Sequence, residues 1–95
     1  MPRLVFETCG EFLEHTKYIL RRKEYTAYIT EKDEIILVPV RSTRPVIYCY
    51  YKITDEREKE AILDLLESLK VPVFYIKSFD WDAQKPIGAP QKVEI

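Results

Sequence analysis

Chemistry is first sought at a lysine that ends a buried strand. Lys52 closes the stretch 45–53, P-V-I-Y-C-Y-Y-K-I, which is apolar on both alternating sides, the pattern of a strand covered on both faces. One side carries Val46, Tyr48, Tyr50 and Lys52; the other carries Ile47, Cys49, Tyr51 and Ile53. Just before it, Arg41 and Arg44 flank Ser42 and Thr43. Two guanidiniums and two hydroxyls suit one phosphate, since arginine pairs with oxyanions in a bidentate way. The same arginines, paired with Glu31 or Asp33, make an ordinary solvated turn. Tyr48, Tyr50 and Tyr51 offer rings for stacking on single-stranded bases if one face is open, and otherwise belong to a core or an interface. Cys9 and Cys49 lack the spacing of a zinc knuckle or a C-x-x-C pair, so they are either two small buried hydrophobes or a disulfide joining the first helix to this strand. His15 has no second histidine, ligand-spaced cysteine or serine partner, and is expected at a core boundary.

The elements that must position these groups follow from periodicity and capping. Residues 3–7 suit a short strand. T-C-G-E then places Glu11 three residues after Thr8, a capping-box arrangement, and Cys9, Phe12, Leu13, Thr16, Ile19 and Leu20 form one helical stripe. Residues 25–30 and 34–40 read as a hairpin about the turn 31–33, with Pro39 marking an edge, a bulge or the end of its strand. The stretch 45–53 adds a third strand to this meander. Asp55 caps a second helix with Glu58 three residues on, Ile62, Leu65, Leu66 and Leu69 form its stripe, Leu63 lies off it, and Pro72 stops it. V-P-V-F-Y-I-K is a further apolar strand, so strand, helix and strand predict a parallel crossover with 45–53 in the middle of the sheet. The expected class is α/β (α+β), a mixed sheet in the order (β)αβββαβ(β), comprising a three-strand meander and one βαβ crossover. Residues 1–79 make one domain. Residues 80–95 form a C-terminal extension that packs back through Trp81 or is partly mobile, with a final strand within 91–95.

Composition bounds the function. The chain is 46% hydrophobic, enough for a core, and its formal charge of -1 gives no global basic field, so nucleic acid would need a local patch. No apolar run approaches the roughly 20 residues of a membrane span, and no secretory h-region is present, which predicts a soluble cytoplasmic protein. Charged residues make up 33%, asparagine is absent and glutamine scarce. That composition is similar to that of hyperthermophile proteins, which tolerate intracellular disulfides.

The order helix, three strands, helix, strand, with E-I-I-L-V, Y-Y-K-I-T and V-P-V-F-Y-I-K falling on its strands, resembles the restriction-endonuclease-like nucleases, nearest the archaeal Holliday-junction resolvases. The resemblance spans residues 9–79. It implies that Glu34 (or Asp33) is a metal-binding acid, that Lys52 helps orient or activate the attacking water, and that Glu11 or Glu14 completes a Mg²⁺ site. Phosphodiester cleavage needs such hard oxygen ligands and a cation near the water. Tyr50 departs from the pattern: it stands where the family has its second carboxylate, and a phenol with a pKa near 10 is a poor magnesium ligand. The core is therefore expected to be inactive, with no resident metal and no cofactor. The element order is also similar to that of double-stranded-RNA-binding domains, but D-E-R-E-K-E opens the second helix where a basic run would be needed.

The sequence is compatible with three functions. The first is a nucleic-acid-associated protein that contacts DNA or RNA through Arg41, Ser42, Thr43, Arg44 and Lys52. The second is a homodimeric interaction protein using exposed tyrosines or Leu63, and the third an active metal-dependent nuclease working through Glu34 and Lys52.

Overall fold

The computed structural model describes residues 3–21, 24–40 and 47–93. In chain order they form β1 (Arg3–Phe6), α1 (Cys9–Ile19), β2 (Tyr25–Ile29), β3 (Glu34–Pro39), β4 (Tyr48–Lys52) and α2 (Glu56–Ser68). Three short strands and a two-residue one follow: β5 (Val73–Tyr75), β6 (Ser78–Asp80), β7 (Lys85–Ile87) and β8 (Gln91–Lys92). This is an α+β fold built on a mixed sheet. Pro39 is the last residue of β3, where its missing N–H costs least. Among the described residues no helix is long and apolar enough to cross a membrane.

Both helix starts are set locally. Thr8 is extended (φ -127°, ψ 150°), and its Oγ1 accepts from the Glu11 N–H at 3.2 Å. At α2 the Glu58 N–H donates to Asp55 Oδ1 at 2.9 Å. The Glu58 carboxylate reaches back one residue beyond the cap, where Oε1 accepts from the Thr54 N–H (2.9 Å) and hydroxyl (2.7 Å). The other end of α2 differs from expectation. It is Lys70, at φ 58°, that ends the helix: its N–H donates to the Glu67 carbonyl (3.0 Å) and the Val71 N–H to the Leu66 carbonyl (2.9 Å), a Schellman pattern. Pro72 follows only after the chain has turned, and its carbonyl accepts from the Ala27 N–H at 3.0 Å.

The six-stranded sheet runs β1-β4-β3-β2-β5-β8. The antiparallel meander β2-β3-β4 forms its middle, β1 lies parallel to the outside of β4, and β5 lies parallel to the outside of β2. There are thus two βαβ crossovers, and each helix carries the chain past two strands. The strand expected at the centre, β4, is instead second from an edge. Its outer flank is already taken by β1, so the strand after α2 joins the far side of the meander.

Two layers cover the sheet. On one face, Cys49 and Tyr51 of β4 pack with Ala27, Ile35 and Leu37 under Phe12 of α1 and Ile62 and Leu66 of α2, all essentially buried. Leu63, expected to face outward, also packs against this cluster. On the other face, Ile36, Tyr48 and Ile76 pack with Phe79, and Tyr50 and Trp81 lie at the rim. Phe79 and Trp81 come from the β6–β7 hairpin, whose turn is held by Asp80 Oδ1 accepting from the Asp82 and Ala83 N–H groups at 3.0 Å each. The C-terminal residues therefore supply the second covering layer and, through β8, the far edge strand.

A lysine in the left-handed region carries a steric cost that glycine avoids. Lys70→Gly is expected to raise stability by about 1 kcal/mol, measured as a higher urea midpoint at unchanged slope.

Candidate functional site

The expected acid and lysine stand opposite one another in the sheet. Thr30 opens the β2–β3 turn and its Oγ1 accepts from the Lys32 and Glu34 N–H groups at 3.3 Å each, while Asp33 takes φ 59°. This local bonding starts β3 at Glu34. The antiparallel register then sets Glu34 directly opposite Lys52, on the face covered by the hairpin. Their functional groups are turned to other partners. Glu34 Oε1 accepts from the Thr30 hydroxyl at 3.0 Å and Oε2 from the Tyr50 hydroxyl at 2.5 Å. The Lys52 ammonium donates to the Lys32 carbonyl. Tyr50 thus occupies the position of the missing carboxylate and binds the one that remains. Burial, followed by the bond to Glu34 and its charge, pushes the Tyr50 pKa up to about 12, against a lowering by nearby Arg3.

The other acids do not gather here. Glu11 and Glu14 lie on α1, which packs on the opposite face of the sheet, and Glu14 pairs with Lys17 at 3.6 Å. Asp33 pairs with Lys59 at 3.8 Å, and that ammonium also lies 5.4 Å from the centre of the Tyr75 ring. Among the described residues no three histidine, cysteine, aspartate or glutamate side chains come together in a way that could hold a metal ion. Arg41, Ser42, Thr43 and Arg44 fall outside the described residues. His15 rests against Phe6, ring centres 5.1 Å apart, at the boundary of the helix-side core.

Cys9 and Cys49 are free thiols. Burial pushes the Cys49 thiol up to about 11, and burial with the charges of Glu58 and Asp55 raises Cys9. Both are therefore thiols rather than thiolates near neutral pH, which makes them poor nucleophiles.

The three tyrosines of β4 do not share an open stacking surface. Tyr51 lies on the helix side, its ring 5.7 Å from that of Phe12 and its hydroxyl donating to Glu58 Oε1 at 2.8 Å. Burial and that bond push its pKa up to about 12. Glu58, held first of all by the Thr54 hydroxyl, is shifted down. Tyr48 and Tyr50 lie beneath the hairpin with Trp81 centred 6.1 Å from each. Trp81 in turn packs on Phe79 at 4.8 Å, and the Arg3 guanidinium sits over its ring at 4.6 Å. The tie from Arg3 to the C-terminal hairpin has no signal in the sequence, because its ends lie 78 positions apart along the chain.

Two of the remaining surface features among the described residues are a groove and an apolar strand edge. A groove of about 410 Å³ opens between the C-terminal ends of the helices and the start of β2, lined by Leu20, Tyr25, Val40, Leu69, Val71 and Pro72. Its charged groups, Glu24 and Lys70, do not form a convergent catalytic set. The second feature is the β1 edge, where Leu4 (37% exposed), Val5 (54%) and the neighbouring Ile47 (53%) leave apolar surface in water. The sequence carried a signal for it: R-L-V-F-E is a short apolar run bounded by opposite charges. Comparison of the chain with family models, with curated proteins and with solved structures finds no match in any of the three.

Both shifted tyrosines act on stability in one direction. Their folded pKa values of about 12 lie above the usual value near 10, so the folded state holds these protons more tightly. Their contribution is complete below about pH 10 and is lost as pH rises toward about 12. Urea denaturation between pH 9 and 12 should show stability falling across this window, with a shallower fall in Tyr50→Phe and Tyr51→Phe.

Proposed function

We propose that this chain is a protein-interaction module whose working surface is the edge of β1, unpaired among the described residues, and whose partner is a second copy of itself. The observation that carries this reading is the contrast between the two edges of the sheet. Edge strands present unpaired N–H and C=O groups, and proteins guard them with short strands, lysine or proline. The far edge is guarded in this way: β8 has two residues, Gln91 and Lys92, both exposed. The β1 edge is longer and apolar, with Leu4 and Val5 exposed on opposite faces of the strand. Pairing of two such edges supplies the missing hydrogen bonds and covers those side chains together.

The bonds from the Tyr50 hydroxyl to Glu34 and from Lys52 to the Lys32 carbonyl add support, since both groups already have partners within the fold. The nucleic-acid reading rests on Arg41 and Arg44, and salt-sensitive DNA or RNA binding abolished by changing both to alanine is the result that would favour it.

Sedimentation velocity from micromolar to millimolar concentration is expected to show reversible monomer–dimer exchange. Val5→Lys should shift the chain to monomer with little loss of stability, because Val5 is exposed, whereas Gln91→Lys on the guarded edge should change nothing. A strict monomer at every concentration would overturn the proposal.

A further inference from the structure

From the sequence of the β1 edge we infer the register and symmetry of self-association: β1 pairs antiparallel with β1 of a second copy, centred on Val5. This rests on the interaction reading above and specifies how the two copies meet. An antiparallel pair of identical edges is related by a twofold axis perpendicular to the sheet, which sets one residue opposite its own copy. The axis is taken in turn at Leu4, Val5 and Phe6; the last two registers carry the pairing one residue beyond β1, to Glu7.

Side-chain chemistry decides among them. Centring on Leu4 sets Arg3 against the partner's Val5. Centring on Phe6 sets Val5 against the partner's Glu7. Each leaves a charged side chain facing an apolar one. Centring on Val5 sets Arg3 against the partner's Glu7, Leu4 against the partner's Phe6, and Val5 against the partner's Val5. The twofold axis repeats the first two pairs. R-L-V-F-E is thus complementary to its own reverse, with two opposite-charge pairs at the ends and apolar pairs between them.

The faces of the strand agree with this register. Arg3 and Val5 align with Tyr48 and Tyr50 on the hairpin side, and Leu4 and Phe6 align with Cys49 and Tyr51 on the helix side. Same-face pairing across the axis therefore brings helix layer beside helix layer and hairpin beside hairpin. The two six-stranded sheets become one continuous sheet, and the half-exposed Leu4 gains an aromatic neighbour in the partner's Phe6. Arg3 is held over Trp81 at 4.6 Å, which fixes the start of the strand against its own subunit before a partner arrives.

A charge exchange tests the register on the full chain. Arg3→Glu should weaken the dimer on the order of tenfold by opposing two pairs of like charges, and Glu7→Arg should do the same. The double variant Arg3→Glu/Glu7→Arg should return the dissociation constant to within about threefold of the original. Loss of the Arg3–Trp81 contact alone cannot give that recovery, because the double variant lacks the contact too. In parallel, Val5→Cys should form a disulfide-linked dimer on mild oxidation, whereas the parent chain, with Cys9 and Cys49 only, should not. A parent dimer that is sensitive to Val5→Lys but shows neither recovery nor cross-linking would overturn the register and leave edge pairing standing. A parent that is monomeric throughout would overturn both.

Discussion

The structure depends on one constraint: β4 has to be covered on both faces. Cys49 and Tyr51 face one way and Tyr48 and Tyr50 the other, so one packing layer cannot bury the strand. The helices supply the first layer and the β6–β7 hairpin the second. Tyrosine adds a further demand, since a phenol buried at its ring must still satisfy its hydroxyl. Each face meets it with a carboxylate. Glu58, already bound to Thr54 at the start of α2, takes the Tyr51 hydroxyl, and Glu34, at the start of β3, takes that of Tyr50. Two acids that the sequence presents as a helix-capping residue and a candidate metal ligand are thus the polar ends of two core tyrosines.

That use of Glu34 changes what the β3–β4 junction can do. A carboxylate that accepts two hydroxyls keeps lone pairs, but its position is fixed by Thr30 and Tyr50 rather than by any incoming group. Lys52, directly opposite, is occupied with a backbone carbonyl of the preceding turn. The polar groups at this corner close the turn and the end of the sheet.

Much of the fold was legible in local sequence. Thr8 and Asp55 cap the helices they were expected to cap, the stripe from Cys9 to Leu20 faces the core, and the alternation through residues 48–53 gives both faces of β4 correctly. These features depend on neighbours within about four residues. What was not legible depends on distant partners. Nothing local tells the strand after α2 that the flank of β4 is taken by β1, or that Leu63 will meet the core. The hairpin over Tyr48 and Tyr50 was hidden because its strands are three residues long and one contains Pro86. The candidate site divides the same way: Glu34 and Lys52 were named from their order along the chain, but the Tyr50 bond between β3 and β4 needed the register.

The two ends of the sheet show how the chain spends its edge-guarding residues. Lysine and brevity are placed at β8, while β1 carries no lysine within Arg3–Phe6. Arg3 remains exposed, and its guanidinium lies over Trp81 and 5.7 Å from the centre of the Tyr50 ring. This contact ties β1 to the hairpin layer as well as to β4, so the edge is held extended from two directions. Ordering a strand is a large part of the cost of adding a partner to it, and here the fold meets that cost before any partner binds. An apolar edge that is tied to the hairpin through Arg3, bounded by opposite charges and complementary to its own reverse is suited to a defined pairing. A flat edge without those charges would fix no register and would invite open-ended aggregation.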